Sequence, residues 1–299
     1  MNLLITGGTG LIGTRFIHRH PGHHYTVLTR STHLLSTPPS DATRYIGDLS
    51  ELASLDGFDA VINLAGEPII DKRWSVQQKR IICDSRWHIT QQIVDKIAAS
   101  SHPPRVFISG SAVGIYGDAG EVMLNEASLI PCDDFAHQLC ERWETIAAQA
   151  ASYTRVVHLR TGIVLDAQGG ALAKMRLPFS LCLGGHLGSG RQFMSWIHID
   201  DMVAAILFLL MNEHCHGAFN LTSPQPVTNQ QFTRALASAL HRFAILPVPG
   251  AILSLLMGES SQLLLGSQRV YPDKLLQAGF QFSYPSIQEA LNQLLTHSG

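Results

Sequence analysis

Apolar and polar positions along this chain follow two periods that take turns. Residues 2–5 form a short apolar run of the kind that a strand buried on both faces produces. Similar runs at residues 25–29, 43–46, 60–64, 105–109 and 154–160 predict further strands. Between them the spacing becomes helical: from Leu11 onward, over residues 75–100, and over residues 135–152. In the long second helix Ile82, Ile89, Ile93 and Ile97 make one apolar stripe. Strands alternating with helices predict an α/β fold, a doubly wound parallel sheet with helices on both faces. Beyond residue 163 the pattern loosens. Gly169-Gly170, Pro178, Gly184-Gly185 and the glycines at 188 and 190 read as loops. Val203, Ile206, Leu207 and Leu210 then predict one more sheet-packing helix over residues 200–211, and short helices and turns follow from Pro224.

The first strand runs straight into TGGTGLIG at residues 6–13. Gly7 allows the tight turn, Gly10 has no side chain to hold a pyrophosphate away, and Gly13 lets the next helix pack closely on the sheet. Thr9, Leu11 and Ile12 complete the turn and the helix start. The free N–H groups there face phosphates, with the positive end of the helix dipole behind them. A strand before and a helix after are the context that makes such glycines a dinucleotide site. Twenty positions past Gly10, where an acid would take the ribose hydroxyls of NAD, stands Arg30. A guanidinium there favours the 2′-phosphate of NADP(H). The expected organisation is a nucleotide-binding domain over residues 1–165, to which 192–222 return. A smaller, loop-rich mixed unit over 166–299 interleaves with it and covers the substrate side.

Composition narrows the function classes. The 299 residues are 45% hydrophobic with a formal net charge of −2, which draws the chain to neither nucleic acid nor an anionic membrane. No basic leader precedes the first strand, and the apolar stretch 203–211 is too short to span a bilayer, so a cytoplasmic enzyme-sized protein is expected. Cysteines 83, 132, 140, 182 and 215 are scattered and unpaired by spacing, as in a reduced compartment. His18, His20, His23 and His24, and again His214 and His216, lack carboxylate or thiolate partners at a regular interval, so no metal is expected.

Several phrases together resemble the extended short-chain dehydrogenase/reductase family: the glycine turn, Gly47-Asp48-Leu49, Asn63-Leu64-Ala65-Gly66, Ser109-Gly110-Ser111 with Tyr116-Gly117, and Ile197-His198-Ile199-Asp200-Asp201. With Glu67-Pro68, Ser85-Arg86-Trp87, Leu159-Arg160-Thr161-Gly162 and Gly188-Ser189-Gly190-Arg191, the chain is more closely similar to the atypical "epimerase family protein" subgroup of NAD(P)-dependent epimerase/dehydratase-like proteins. The resemblance extends over residues 1 to about 295. It implies a Rossmann-type sheet with a smaller C-terminal substrate domain. It also implies that Asp48 and Leu49 flank the adenine, that Asn63, Leu64, Ala65 and Gly66 line the cofactor, and that Thr29 joins Arg30 at the 2′-phosphate. Arg160 and Thr161 would lie near the nicotinamide, Ser111 would be the catalytic serine, and Arg191 would face the diphosphate of a nucleotide-sugar.

One family feature is missing. The tyrosine whose pKa a lysine four residues later depresses should begin the helix near residue 135. In one register those positions hold Ala136 and Cys140, in the other Phe135 and Leu139. Neither pair offers a proton donor or a cation. Tyr116, five residues past Ser111, is the candidate stand-in acid. Arg86 falls on the apolar stripe of its helix, where a guanidinium needs a partner: either a salt bridge to Glu67 or Asp71, or an anion of the cofactor or substrate. Glu67 stands at the carboxyl edge of the sheet, and Arg191 is presented beside Phe193 and Trp196; these are the substrate-side candidates. Asp200 or Asp201 is expected to cap the helix beginning there. Two functions fit: an NADP(H)-dependent oxidoreductase or epimerase-type enzyme with a non-standard proton path, acting on a small polar or anionic molecule, or an NADPH-binding sensor or assembly protein that does no chemistry.

Overall fold

A computed structural model describes residues 1–31 and 42–296. Seven parallel strands form the central sheet in the order β11-β7-β5-β4-β1-β2-β3. They are β1 (Asn2–Thr6), β2 (His24–Leu28), β3 (Thr43–Ile46), β4 (Ala60–Asn63), β5 (Val106–Ala112), β7 (Arg155–Thr161) and β11 (Gly217–Leu221). Both faces are buried, which is why the strands read as continuous apolar runs. Leu3, Ile5, Val27, Ile62, Ile108 and Val157 point to one face, where α1 (Leu11–Arg19) lies. Leu4, Val61, Phe107 and Val156 point to the other, against α2 (Val76–Ala99) and α3 (Phe135–Ala148).

Short paired strands tie the later segments to this body. β6 (Met123–Leu124) pairs with β13 (Arg269–Val270), β8 (Ile163–Leu165) with β10 (Trp196–His198), and β9 (Phe193–Met194) with β12 (Val227–Thr228). Two departures from the sequence reading concern this half. Residues 170–180, read as loop because of Gly169-Gly170 and Pro178, form α4 (Gly170–Ser180). Its first turn holds Leu172 in the core, so burial decides against the local signals. The next helix, α5 (Ile199–Met211), is capped by His198 rather than by either aspartate. The His198 Nδ1 accepts from the Asp200 N–H at 3.0 Å. Asp200 instead pairs with Arg15 and Arg19, and Asp201 accepts from the backbone N–H groups of Ser283 and Tyr284. α6 (Asn229–Ala239) and α7 (Gly250–Met257) follow. Among the described residues no helix is long and apolar enough to cross a membrane.

Two buried histidines make stability depend on pH. His158 on β7 and His198 lie in the interior, and burial holds both below the ordinary histidine pKa, more strongly than nearby carboxylates raise it. The unfolded chain takes up these protons below about pH 6.5 while the folded chain stays neutral there. Stability is therefore full above pH 6.5 and falls on acidification, by up to about 1.4 kcal/mol per pH unit for each histidine. Urea unfolding midpoints between pH 5 and 7.5 check this; a flat profile contradicts it.

Candidate functional site

The strand order reverses between β1 and β4, so their carboxyl ends border the crevice where ligands gather in open α/β sheets. The glycine turn occupies that crevice. Gly7 has φ +69°, and a Cβ on it would stand 2.6 Å from the Leu64 carbonyl. A Cβ on Gly13 would stand 2.5 Å from the Gly7 carbonyl oxygen, so α1 starts in direct contact with the turn. Over Gly10 the space is open, with only the Gly7 oxygen within 4 Å of a built Cβ. Gly10 is also the N-cap of α1 and offers no side-chain acceptor, so the positive helix end faces that open space. An open cradle bounded by N–H groups fits a pyrophosphate.

Other expected cofactor residues divide. Arg30 sits just past β2 with an 85% exposed side chain, its nearest acid Glu67 at 3.8 Å, a surface pair too weak to hold it from a ligand. Leu64, Ala65 and Gly66 form the half-exposed loop after β4. Asn63 is buried and internally engaged: it accepts from Thr6 Oγ1 at 2.6 Å and donates to Thr90 Oγ1 at 2.8 Å. Asp48 caps the turn Leu49–Glu51, accepting from the Ser50 N–H. The Leu49 side chain belongs to the core on the α2 face.

Behind this edge lies a buried polar network. β5 extends three residues past its expected end, so Ser111 lies within the strand. Its Oγ donates to Glu144 Oε1 at 2.7 Å. Arg160 grips the same carboxylate with Nε and Nη2, both at 2.9 Å. Arg160 Nη1 donates to the Tyr116 hydroxyl at 3.0 Å, which in turn donates to Asn220 Oδ1 at 2.8 Å. Burial alone would push the Glu144 carboxyl up; Arg160 and Ser111 outweigh it and hold the carboxyl below its usual range. Burial pushes Tyr116 up. The expected stand-in acid therefore has its hydroxyl enclosed by Arg160 and Asn220, at 2% residue exposure. Arg160, expected near the nicotinamide, spends its donors on Glu144, Tyr116 and the Glu126 carbonyl. Thr161 donates to the Leu159 carbonyl.

Arg86 makes no ion pair with Glu67 or Asp71. Its Nη1 donates to the Ile82 carbonyl at 3.1 Å and its Nη2 to the Glu67 carbonyl at 3.0 Å. The guanidinium lies under Gly66, 5.4 Å from the Trp143 ring centre. Glu67 gives its carboxylate to Lys72 at 3.2 Å, and Asp71 pairs with Lys174. Arg86 thus clamps the backbone of the Leu64–Glu67 loop from beneath. Trp196 is fully buried, its Nε1 donating to the Gln225 carbonyl, and cannot touch a substrate. Arg191 is exposed on its glycine turn.

Past the end of β5 opens a cavity of about 580 Å3. Trp74, Gly117 and Ala136 form one wall, and residues 254–268, from α7 onward, form the other. Asp118, Asp134 and Glu259 line it.

Residues 3–222 match the NAD dependent epimerase/dehydratase family. The chain belongs to that family. Residues 248–294 match a domain of unknown function, DUF1731. Epimerase family protein SAR0825 of Staphylococcus aureus (strain MRSA252) is 36% identical over 98% of both chains. The solved structure of human epimerase family protein SDR39U1 (isoform 2) with NADPH superposes with a TM-score of 0.91 at 33% identity, covering 99% of each chain. A nucleoside-diphosphate sugar epimerase from Corynebacterium glutamicum gives 0.78 at 30% identity, covering 99% of this chain and 58% of that one.

The tyrosine–lysine pair that the resemblance implied would fall at the start of α3. Ala136 faces the cavity, while Cys140 is buried, its thiol pushed up to about 12 by burial. Phe135 instead packs on Trp74, and Leu139 is in the core. What the sequence did not reveal is the partner of Ser111 and Arg160, the carboxylate of Glu144 reaching them from α3. The cavity acids were equally invisible, because Glu259 comes from a segment distant in the chain from Asp118 and Asp134.

Proposed function

We propose that this protein is an NADP(H)-dependent oxidoreductase of the epimerase/dehydratase family, working in the cytoplasm on a small molecule held in the cavity beside Ala136. The observation that carries the reading is the open cradle over Gly10 combined with an exposed Arg30 at the next strand end, held only by the loose surface pair with Glu67. Gly7, Thr9, Gly10, Leu11, Ile12 and Gly13 would hold the pyrophosphate, Thr29 and Arg30 the 2′-phosphate, and Leu64, Ala65 and Gly66 the ribose side. When bound, the cofactor supplies or accepts hydride. Arg86 keeps the loop over it in place. Ser111, its proton held by ionised Glu144, would offer a lone pair to a substrate hydroxyl at the reacting end. With Tyr116 enclosed, the proton at the substrate oxygen exchanges with water in the cavity.

A second reading, an NADPH-responsive protein without chemistry, is favoured by Ala136 and Cys140 in place of a donor and a cation. Calorimetric titration of the cofactor-stripped protein with NADPH and NADH tests the common part. Tight NADPH and weak NADH binding is the expected result, and Arg30→Asp should reverse the preference by about 100-fold, since the charge at that strand end changes sign. Retained NADPH preference in the variant contradicts the assignment. Oxidation of bound NADPH by any carbonyl in a substrate screen separates the enzyme from the sensor.

A further inference from the structure

The cavity beside Ala136 has a charge of its own. Among the described residues three carboxylates line it and no lysine or arginine does. Asp118 Oδ1 accepts only from the N–H groups of Gly120 and Ser267, each at 3.1 Å. Asp134 caps α3 through the His137 N–H at 2.7 Å and accepts from the Cys132 thiol at 3.2 Å. Glu259 alone meets a cation, Lys79 at 2.6 Å, and that ammonium also lies 5.0 Å from the Phe135 ring centre. Two further basic groups lie near it. Arg73 is exposed and lies against Gly258 at the rim. Arg269 stacks over Phe193, 4.9 Å from its centre, and reaches the Glu121 carbonyl. A nucleoside diphosphate is recognised through bidentate arginines or converging N–H groups, and this cavity would set its phosphates against carboxylates instead.

Taking the cofactor edge to be read correctly, we propose that this cavity accepts an uncharged or cationic compound with a flat apolar portion against Trp74, and rejects phosphorylated substrates, nucleotide-sugars included. The specificity follows from sign. A unit charge about 8 Å from a carboxylate at an effective dielectric near 20 changes binding by more than tenfold.

Benzamidine, benzamide and benzoate share one ring and differ by one charge at each step, which isolates this effect. Their binding, with that of UDP-glucose, is measured by calorimetry on NADPH-loaded protein, loading being read separately from cofactor fluorescence. Benzamidine should bind at least about tenfold more tightly than benzoate, with benzamide between them and UDP-glucose not binding. Glu259→Gln, at a half-exposed turn, leaves Lys79 without its acid and should narrow the benzamidine-to-benzoate ratio without altering NADPH loading. Benzoate or UDP-glucose binding as tightly as benzamidine overturns the proposal, and so does a ratio unchanged in Glu259→Gln. If NADPH fails to load, the cofactor reading falls instead, while the same probe series on cofactor-free protein still decides the cavity's preference.

Discussion

Replacing Gly13 by alanine is expected to abolish useful NADPH binding, weakening it by about 100-fold or more, and to destabilise the fold by about 1–3 kcal/mol. The new Cβ would stand 2.5 Å from the Gly7 carbonyl oxygen and 2.6 Å from the Gly8 Cα, and both obstacles are backbone. The start of α1 must move off the turn, carrying its N–H groups away from where phosphate oxygens lie. Gly10→Ala supplies the contrast. At that position φ is −83°, an ordinary value for alanine, and the nearest atom to a built Cβ is the Gly7 oxygen at 3.2 Å. Its methyl group would project into the open cradle. Gly10→Ala should therefore keep its thermal midpoint and still lose NADPH, whereas Gly13→Ala loses both. Calorimetry together with thermal unfolding separates them; undiminished NADPH affinity in either variant contradicts the proposed cradle.

The largest expected loss of stability comes from Glu144→Ala, about 3–5 kcal/mol. Both partners of the Glu144–Arg160 pair are only 13% exposed. The substitution leaves the Arg160 guanidinium enclosed without its carboxylate and removes the acceptor of Ser111 Oγ. Coupling follows from the shared network: adding Arg160→Met to Glu144→Ala should restore part of the loss, because the stranded charge disappears. Urea unfolding of the two single variants and the double gives the coupling directly. A Glu144→Ala variant within 1 kcal/mol of the parent would show that water, rather than this carboxylate, satisfies Arg160.

These two sites differ in how far the chain announces them. The glycine turn was legible because its demands are local: a strand, a positive φ, a close backbone approach and a helix start lie within residues 2–19. Strands buried on both faces declared themselves in the same way, as did the stripe of Ile82, Ile93 and Ile97 on α2. Arg30 is proposed from its distance to Gly10, which the β1-α1-β2 geometry fixes.

The polar interior was not legible, since it is assembled across strands. Ser111 and Arg160 are register partners on β5 and β7, and Glu144 reaches them from α3. Tyr116 has an identical sequence whether its hydroxyl faces a ligand or Asn220 on β11, and only the neighbouring strand decides. Arg86 was correctly expected to need partners, but carbonyls of its own helix and of the Glu67 loop supply them, which charge-counting cannot foresee. Trp196 beside a glycine loop read as a substrate-side candidate, yet β10 draws it into the core. What the sequence by itself determined is the parallel sheet and the glycine turn at its crevice, because periodicity and backbone sterics act over a few residues. What only the tertiary structure decided is which polar side chains face the ligand space and which satisfy one another, because burial and hydrogen-bond partnership are properties of segments that meet only after folding.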